Sequence, residues 1–267
     1  MKCKLIFIIL CTFVLASCQV HSSNIGSLNQ SRETSLMIKQ DLPADFIPKD
    51  ITIVSAGDSL TQGVGDSTKR GGYVPYLKDL LEKDKGIDGV NIVNFGVKGN
   101  RSDQLLERLH SKKVKQAVKD ANMIIITIGG NDMMKVVREN FSKLSFQAFK
   151  QQKQIYEKNL DKAIKDIRSD SPESTIVLVG LYNPFIKWFA DISEINDIID
   201  NWNAASKEIL SKYPDTHFVE VKDIFDEGSE ELLYKDYFHP NDKGYELMAQ
   251  RIYSTLTNEA LDQFFRQ

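Results

Sequence analysis

Four short stretches of this chain carry side chains whose types and spacing could do acyl-transfer chemistry. Ser59 lies in Gly57-Asp58-Ser59-Leu60-Thr61-Gln62-Gly63. A serine hydroxyl is a weak nucleophile until a base takes its proton. A tight glycine-containing turn from strand to helix would expose that hydroxyl beside unpaired backbone N–H groups, which could also stabilise a developing oxyanion. Read alone, Gly-Asp-Ser serves equally well as an ordinary turn. Gly99, in Asn94-Phe95-Gly96-Val97-Lys98-Gly99-Asn100, and Asn131, in Gly129-Gly130-Asn131-Asp132, could add oxyanion donors. A glycine lets backbone approach closely, and an Asn amide donates. Taken singly, Gly99 reads better as a positive-φ turn residue and Asn131 as a helix N-cap. His239 lies in Asp236-Tyr237-Phe238-His239-Pro240. The carboxylate three residues earlier could accept the Nδ1–H and set the tautomer, leaving Nε2 as a base. Alone, it could be a surface histidine before a proline. His110, in a polar helix, and His217, in or beside a strand, read as structural.

These residues need a scaffold, and the hydrophobic pattern supplies one. Five runs rich in Ile and Val stand out: Ile51–Ser55, Val90–Asn94, Met123–Ile128, Thr175–Val179 and His217–Val221. Most are apolar on both faces, as in a parallel sheet covered on both sides. Helical spacing appears over Tyr73–Glu82, from about Phe146 to Ile167, over Ile192–Leu210, and from Asn241 to about Phe264, with Asn241 as N-cap. Ser171-Pro172 and Pro214 end two of these helices. Alternating strand and helix predicts a parallel sheet with helices on both faces, in one domain from about Leu42 onward. In such a sheet the loops at the carboxyl ends of the strands build the active site. The Ser59, Gly99 and Asn131 stretches each follow one of the first three strands.

Composition narrows the choice of function. The chain has 267 residues, 42% hydrophobic and 27% charged, with a net charge of −3. A packed core is available, and the absence of a basic excess argues against a nucleic-acid binder. The cysteines are Cys3, Cys11 and Cys18, and the histidines are His21, His110, His217 and His239. This leaves the body without a disulfide framework or a Cys-based metal site and makes a multi-His site improbable, so no metal is expected.

The N-terminus reads as an address. Lys2 and Lys4 precede the apolar run Ile6–Ala16, too short to span a bilayer comfortably, followed by Leu15-Ala16-Ser17-Cys18. That end resembles a bacterial lipobox. The resemblance implies cleavage after residue 17 and lipid on Cys18. Residues 18–44 would be the lipidated cysteine and a flexible tether rich in Ser, Asn and Gln, with a reach of roughly 25–30 Å. Residues 45–267 would be the folded domain, held on the extracytoplasmic side of the cell membrane.

Ser59, Gly99, Asn131 and His239, in that order, are far more specific together than singly. The chain resembles the SGNH hydrolases, also called GDSL esterases and lipases. Gly57-Asp58-Ser59-Leu60 is similar to the family's nucleophile block, Gly99 to its second-block glycine, Gly129-x-Asn131-Asp132 to its third block, and Asp236-x-x-His239 to its fifth. The resemblance runs from Ile51 to about Gln250. It implies a three-layer α/β/α sandwich around a five-stranded parallel sheet. It also implies Ser59 as nucleophile, His239 as base and Asp236 as orienting acid, with the Ser59 and Gly99 N–H groups and the Asn131 amide as the oxyanion hole. No cofactor is implied. The implied substrate is a small ester, an acyl lipid or an O-acylated glycan. The lipobox, the tether and the Gly-Val-Lys-Gly-Asn-Arg second block look like those of bacterial GDSL-type lipoproteins.

Two regions bear on substrate. Leu181-Tyr182-Asn183-Pro184-Phe185, with Trp188 and Phe189 beyond, follows the fourth strand. Tyr182, Asn183 and Phe185 could line a pocket or belong to the core. Val136–Leu144 reads either as a flap or as a solvated helix. Two rival functions stand beside the esterase. One is a non-catalytic surface lipoprotein that binds a ligand or cell-wall polymer, which would not need the whole constellation. The other is a phosphate-ester hydrolase, with Asp58, Asp66 and Asp132 as an imaginable metal cluster.

Overall fold

Strands that are apolar at every position must be covered on both faces, and the alternation of side chains along them determines which helices do the covering. In the computed structural model, which describes residues 47–141, 143–184, 194–225 and 230–266, five strands form one parallel sheet. They are β1 (Lys49–Gly57), β2 (Ile87–Gly96), β3 (Met123–Thr127), β4 (Thr175–Val179) and β5 (Thr216–Val219), in the order β2-β1-β3-β4-β5. β3 and β4 are buried at every residue. On one face, Val54, Ala56, Ile124, Ile126, Ile176 and Leu178 pack with the helices α3 (Ser102–Leu109), α4 (Lys112–Lys119), α5 (Gly130–Glu139), α6 (Phe146–Asp170) and α7 (Glu194–Leu210). On the other, Ile51, Ile53, Met123, Ile125, Val177 and Val179 pack with α2 (Tyr73–Leu81), α8 (Asp242–Thr255) and α9 (Leu261–Arg266). The result is a three-layer α/β/α sandwich, as the sequence led us to expect.

The expectation of strands covered on both faces holds in the centre and lapses at the margin. β2 is an edge strand, and Asp88, Asn91 and Asn94 are exposed. The helices start and stop as their caps dictate. Ser145 accepts from the Ala148 N–H at the start of α6, and Asn241 accepts from the Gly244 N–H at the start of α8. The last helical stretch is not uniform: Leu256–Ala260 is a π-turn between α8 and α9. It keeps Leu256, Ala260, Leu261 and Phe264 on the core. α5 runs through Glu139, with Val136 and Val137 buried, so the first part of the suggested flap is packed helix.

The topology positions the site. From β1 the chain moves outward through α2 to β2, then returns across the opposite face through α3 and α4 to β3. The connections after β1 and β3 therefore leave the sheet in opposite directions, and a crevice opens between them at the carboxyl edge.

Candidate active site

β1 ends at Gly57, where no side chain fits: a Cβ there would lie 2.3 Å from the Thr127 carbonyl oxygen. The chain then enters the one-turn helix α1 (Ser59–Gln62), whose N-cap is Asp58. One Asp58 oxygen accepts from the Leu60 N–H at 3.0 Å and from the Thr127 hydroxyl at 2.9 Å. Ser59 is thus fixed at the first helical position, at the mouth of the crevice. Burial pushes the Asp58 carboxyl up to about 7, against those two hydrogen bonds.

His239 Nε2 lies 2.9 Å from Ser59 Oγ, and His239 Nδ1 lies 2.8 Å from Asp236 Oδ2. The other Asp236 oxygen accepts the N–H groups of Phe238 and His239, each at 3.0 Å. Tyr237 takes a left-handed φ of 52° to close this short loop. The loop is tied on both sides. The Tyr182 hydroxyl donates to the Phe238 carbonyl at 2.7 Å, and the His239 carbonyl accepts from the Tyr234 N–H at 2.7 Å. Burial opposes charge on Asp236, but the hydrogen bonds from the His239 ring and from two backbone N–H groups outweigh it and hold the carboxyl below its ordinary value. Burial also holds the His239 imidazole below its ordinary value, against the pull of Asp236.

Of the two further expected donors, Asn131 lines the crevice with Ser59, and Gly99 lies in the loop after β2. Gly99 has φ 80° and faces open space where a side chain would stand. Asn131 is the second residue of α5, behind Gly129, and so is not its N-cap. Its amide Nδ2 donates to the Asn100 carbonyl at 3.0 Å, and the residue lines the same crevice as Ser59. An amide nitrogen carries two hydrogens, so one remains for a ligand.

The crevice is narrow and opens to solvent at its mouth. Its walls beyond Ser59 and Asn131 are mostly apolar, with Leu60, Ile128, Met133, Leu181, Tyr182 and Phe238 among them. Tyr182 is both pocket wall and core: it is buried, and its ring lies 4.3 Å from that of Phe225. Asn183 is buried and bonds to Asn196 at 3.0 Å rather than standing among the crevice-lining residues. Phe185, Trp188 and Phe189 lie outside the described residues, as do Cys18 and the tether.

The three carboxylates of the metal reading are occupied separately. Asp58 holds α1. Asp66 accepts from the backbone N–H groups of Thr68, Arg70, Gly71 and Gly72. Asp132 accepts from the Ser102 N–H and hydroxyl. Among the described residues no group of three or more His, Cys, Asp or Glu is placed to hold a metal. Of the other histidines, His110 caps α3 and pairs with Asp166, and His217 bridges Asp215 and Glu259. His217 therefore does have a carboxylate nearby in sequence, at Asp215, which local reading passed over. Sequence reading also missed Thr127, Asn100 and Arg108, whose partners lie far along the chain. For Asp58 a signal existed: an Asp directly before a helix start is a capping residue.

A parallel sheet of this order, with serine, histidine and aspartate in line across its carboxyl edge, has the parts of a serine hydrolase, and the family it matches makes it a carboxylic ester hydrolase. The chain belongs to the GDSL-like lipase/acylhydrolase family, whose model matches residues 55–247. It is 39% identical over 233 residues to YpmR of Bacillus subtilis (strain 168), covering 86% of this chain and 91% of that protein. It is 28% identical over 201 residues to the spore germination lipase LipC of Bacillus licheniformis, covering 73% and 92%. Among solved structures, a lipase from a goat rumen metagenome superposes with a TM-score of 0.70 at 26% identity, covering 77% of this chain and 97% of that one.

Proposed function

We propose that the chain is a serine esterase that cleaves carboxylic esters through an acyl-enzyme, from a position tethered to the outer face of the cell membrane. The observation that carries the chemistry is the unbroken line Ser59 Oγ–His239–Asp236, with contacts of 2.9 and 2.8 Å. In this reading Ser59 Oγ attacks the ester carbonyl carbon while its proton passes to His239 Nε2. Asp236 keeps the ring oriented and stabilises the imidazolium. The oxyanion is received by the Ser59 and Gly99 N–H groups and the Asn131 amide. Collapse of the tetrahedral intermediate breaks the bond to the alcohol, which leaves with the proton from His239. Water then adds to the acyl-enzyme by the same route, with His239 as its base, releasing the acid and free Ser59.

The apolar walls of the crevice support an acyl chain as the group bound there, on an acyl lipid, an O-acylated glycan or a small ester. The LipC relative, a spore germination lipase, points the same way. Anchoring rests on the sequence of residues 1–44, the signal peptide 1–17 with Cys18 behind it. Among the described residues no helix is long and apolar enough to cross a membrane. Hydrolysis of p-nitrophenyl esters of rising chain length, a lysophospholipid and an acetylated glycan, by wild type and by Ser59→Ala, tests the reading. Equal turnover by the two proteins on every substrate would overturn it.

A further inference from the structure

Arg108 projects from the last turn of α3, and its guanidinium reaches three neutral oxygens. Nη1 donates to the Asn100 side-chain oxygen at 2.8 Å and to the Gly57 carbonyl at 3.4 Å, and Nη2 donates to the Phe95 carbonyl at 2.5 Å. These oxygens belong to the ends of β1 and β2 and to the loop that carries Gly99. A planar guanidinium with five donors can bridge three such acceptors, whereas a lysine ammonium concentrates its donors at one point. Desolvation weighs against the Arg108 charge, so the position is not one a cation takes for solvation alone.

Asn100 is where this bridge meets the site. It is buried, its side chain is held by Arg108, and its carbonyl accepts the Asn131 amide at 3.0 Å. Its own N–H bonds to the Val97 carbonyl at 3.1 Å across the turn in which Gly99 has its left-handed φ. One short loop thus fixes both the Gly99 N–H and the Asn131 amide. A second link, from the Ser102 N–H to Asp132 at 2.9 Å, joins the same loop to α5 one residue beyond Asn131.

We infer that Arg108 is a positioning residue for the oxyanion hole, acting through Asn100 to hold Gly99 and Asn131 in register with Ser59. This rests on the esterase reading, in which Gly99 and Asn131 are the oxyanion donors. A donor displaced by about 1 Å can cost on the order of 10² in rate, while binding of the acyl chain in the crevice needs no contact with Arg108.

The test is a double-mutant cycle on a soluble p-nitrophenyl ester with Arg108→Met, Asn131→Ala and the pair, each checked for a cooperative thermal transition. We expect Arg108→Met to lower kcat on the order of 10- to 100-fold with KM within about twofold. We expect Arg108→Lys to recover only part of the loss, and the pair to lose less than the product of the two single losses, because the Asn131 share of the Arg108 effect is already gone while the Gly99 share remains. If Arg108→Met does not fold, Asn100→Ala replaces it in the cycle, since it removes the acceptor but keeps the backbone carbonyl. Additive losses, or a change confined to KM or to thermal stability, would overturn the inference while leaving the esterase reading intact. Full activity in Asn131→Ala would instead show that the oxyanion assignment itself fails, and the inference with it.

Discussion

Asp236 grips His239 twice: one carboxylate oxygen lies 2.8 Å from the ring Nδ1 and the other accepts the His239 backbone N–H at 3.0 Å. The backbone bond fixes where the ring is attached, and the ring bond fixes how it is turned. A three-residue loop therefore arrives with its base already oriented.

Removing the nucleophile is the sharpest test of that arrangement. Ser59→Ala should fold normally and lose on the order of 10⁶ in kcat, because it removes one oxygen atom and its hydrogen bond to His239 and leaves the Asp58 cap of α1 in place. Asp236→Asn should lose on the order of 10⁴, through the wrong tautomer of His239. Residual turnover in folded Ser59→Ala within tenfold of wild type would sink the assignment.

The pH dependence follows from His239. Only the neutral imidazole accepts the serine proton, so kcat/KM should rise with pH through the free-enzyme pKa of His239. Burial holds that pKa below its ordinary value, so the midpoint should fall below about 6.5. A midpoint clearly above 6.5, or a flat profile from pH 5 to 8 with chemistry limiting, would contradict His239 as a buried base.

Stability should show a separate titration from His217. Asp215 first, and Glu259 after it, raise the His217 pKa in the folded state. The stabilisation is therefore fully present below the unfolded value of about 6.5 and is lost as pH rises through the higher folded value. Asp215 runs the other way: despite burial, hydrogen bonds from His217 and Thr175 lower its pKa, so its contribution is lost as pH falls through that value. Thermal melts of wild type and His217→Gln should be well separated near pH 6 and converge towards pH 9. A constant gap would show that the histidine contributes packing rather than charge.

Much of this was legible in the sequence. The strands were readable because burial on both faces leaves runs such as Met123–Ile126 without a polar residue. Ser59, Asp236 and His239 were readable because two of them are three residues apart and the third sits in a recognisable turn. The short helices α3 and α4 were less distinct, because each buries few apolar residues: Leu105 and Leu109 in one, Val114 and Val118 in the other. Asn183, after the fourth strand, reads from sequence as either pocket or core; it is buried and its amide donates to Asn196. Arg108 left no local trace, since its partners lie 8, 13 and 51 residues away.

Anchoring gives a prediction independent of catalysis. Cys18→Ala should block lipidation and impair processing of the precursor. Residues 19–267 behind an unrelated cleavable secretion signal should reach the medium and hydrolyse a soluble ester at the wild-type rate. Each buried acyl methylene contributes about 0.8 kcal/mol, so a multiply acylated cysteine holds firmly where one chain is marginal. Retention of that secreted form on washed membranes would place the anchor in the folded domain.

Ser59 follows the first strand, and His239 enters 180 residues later, just ahead of α8. A chain still being made, or stalled part-way through folding, holds a nucleophile without its base. Ester bonds in the cell that makes it are thereby spared until the final helices have docked. Turnover consequently counts finished molecules, and a chain that ends before His239 would be inactive even if most of its sheet had formed.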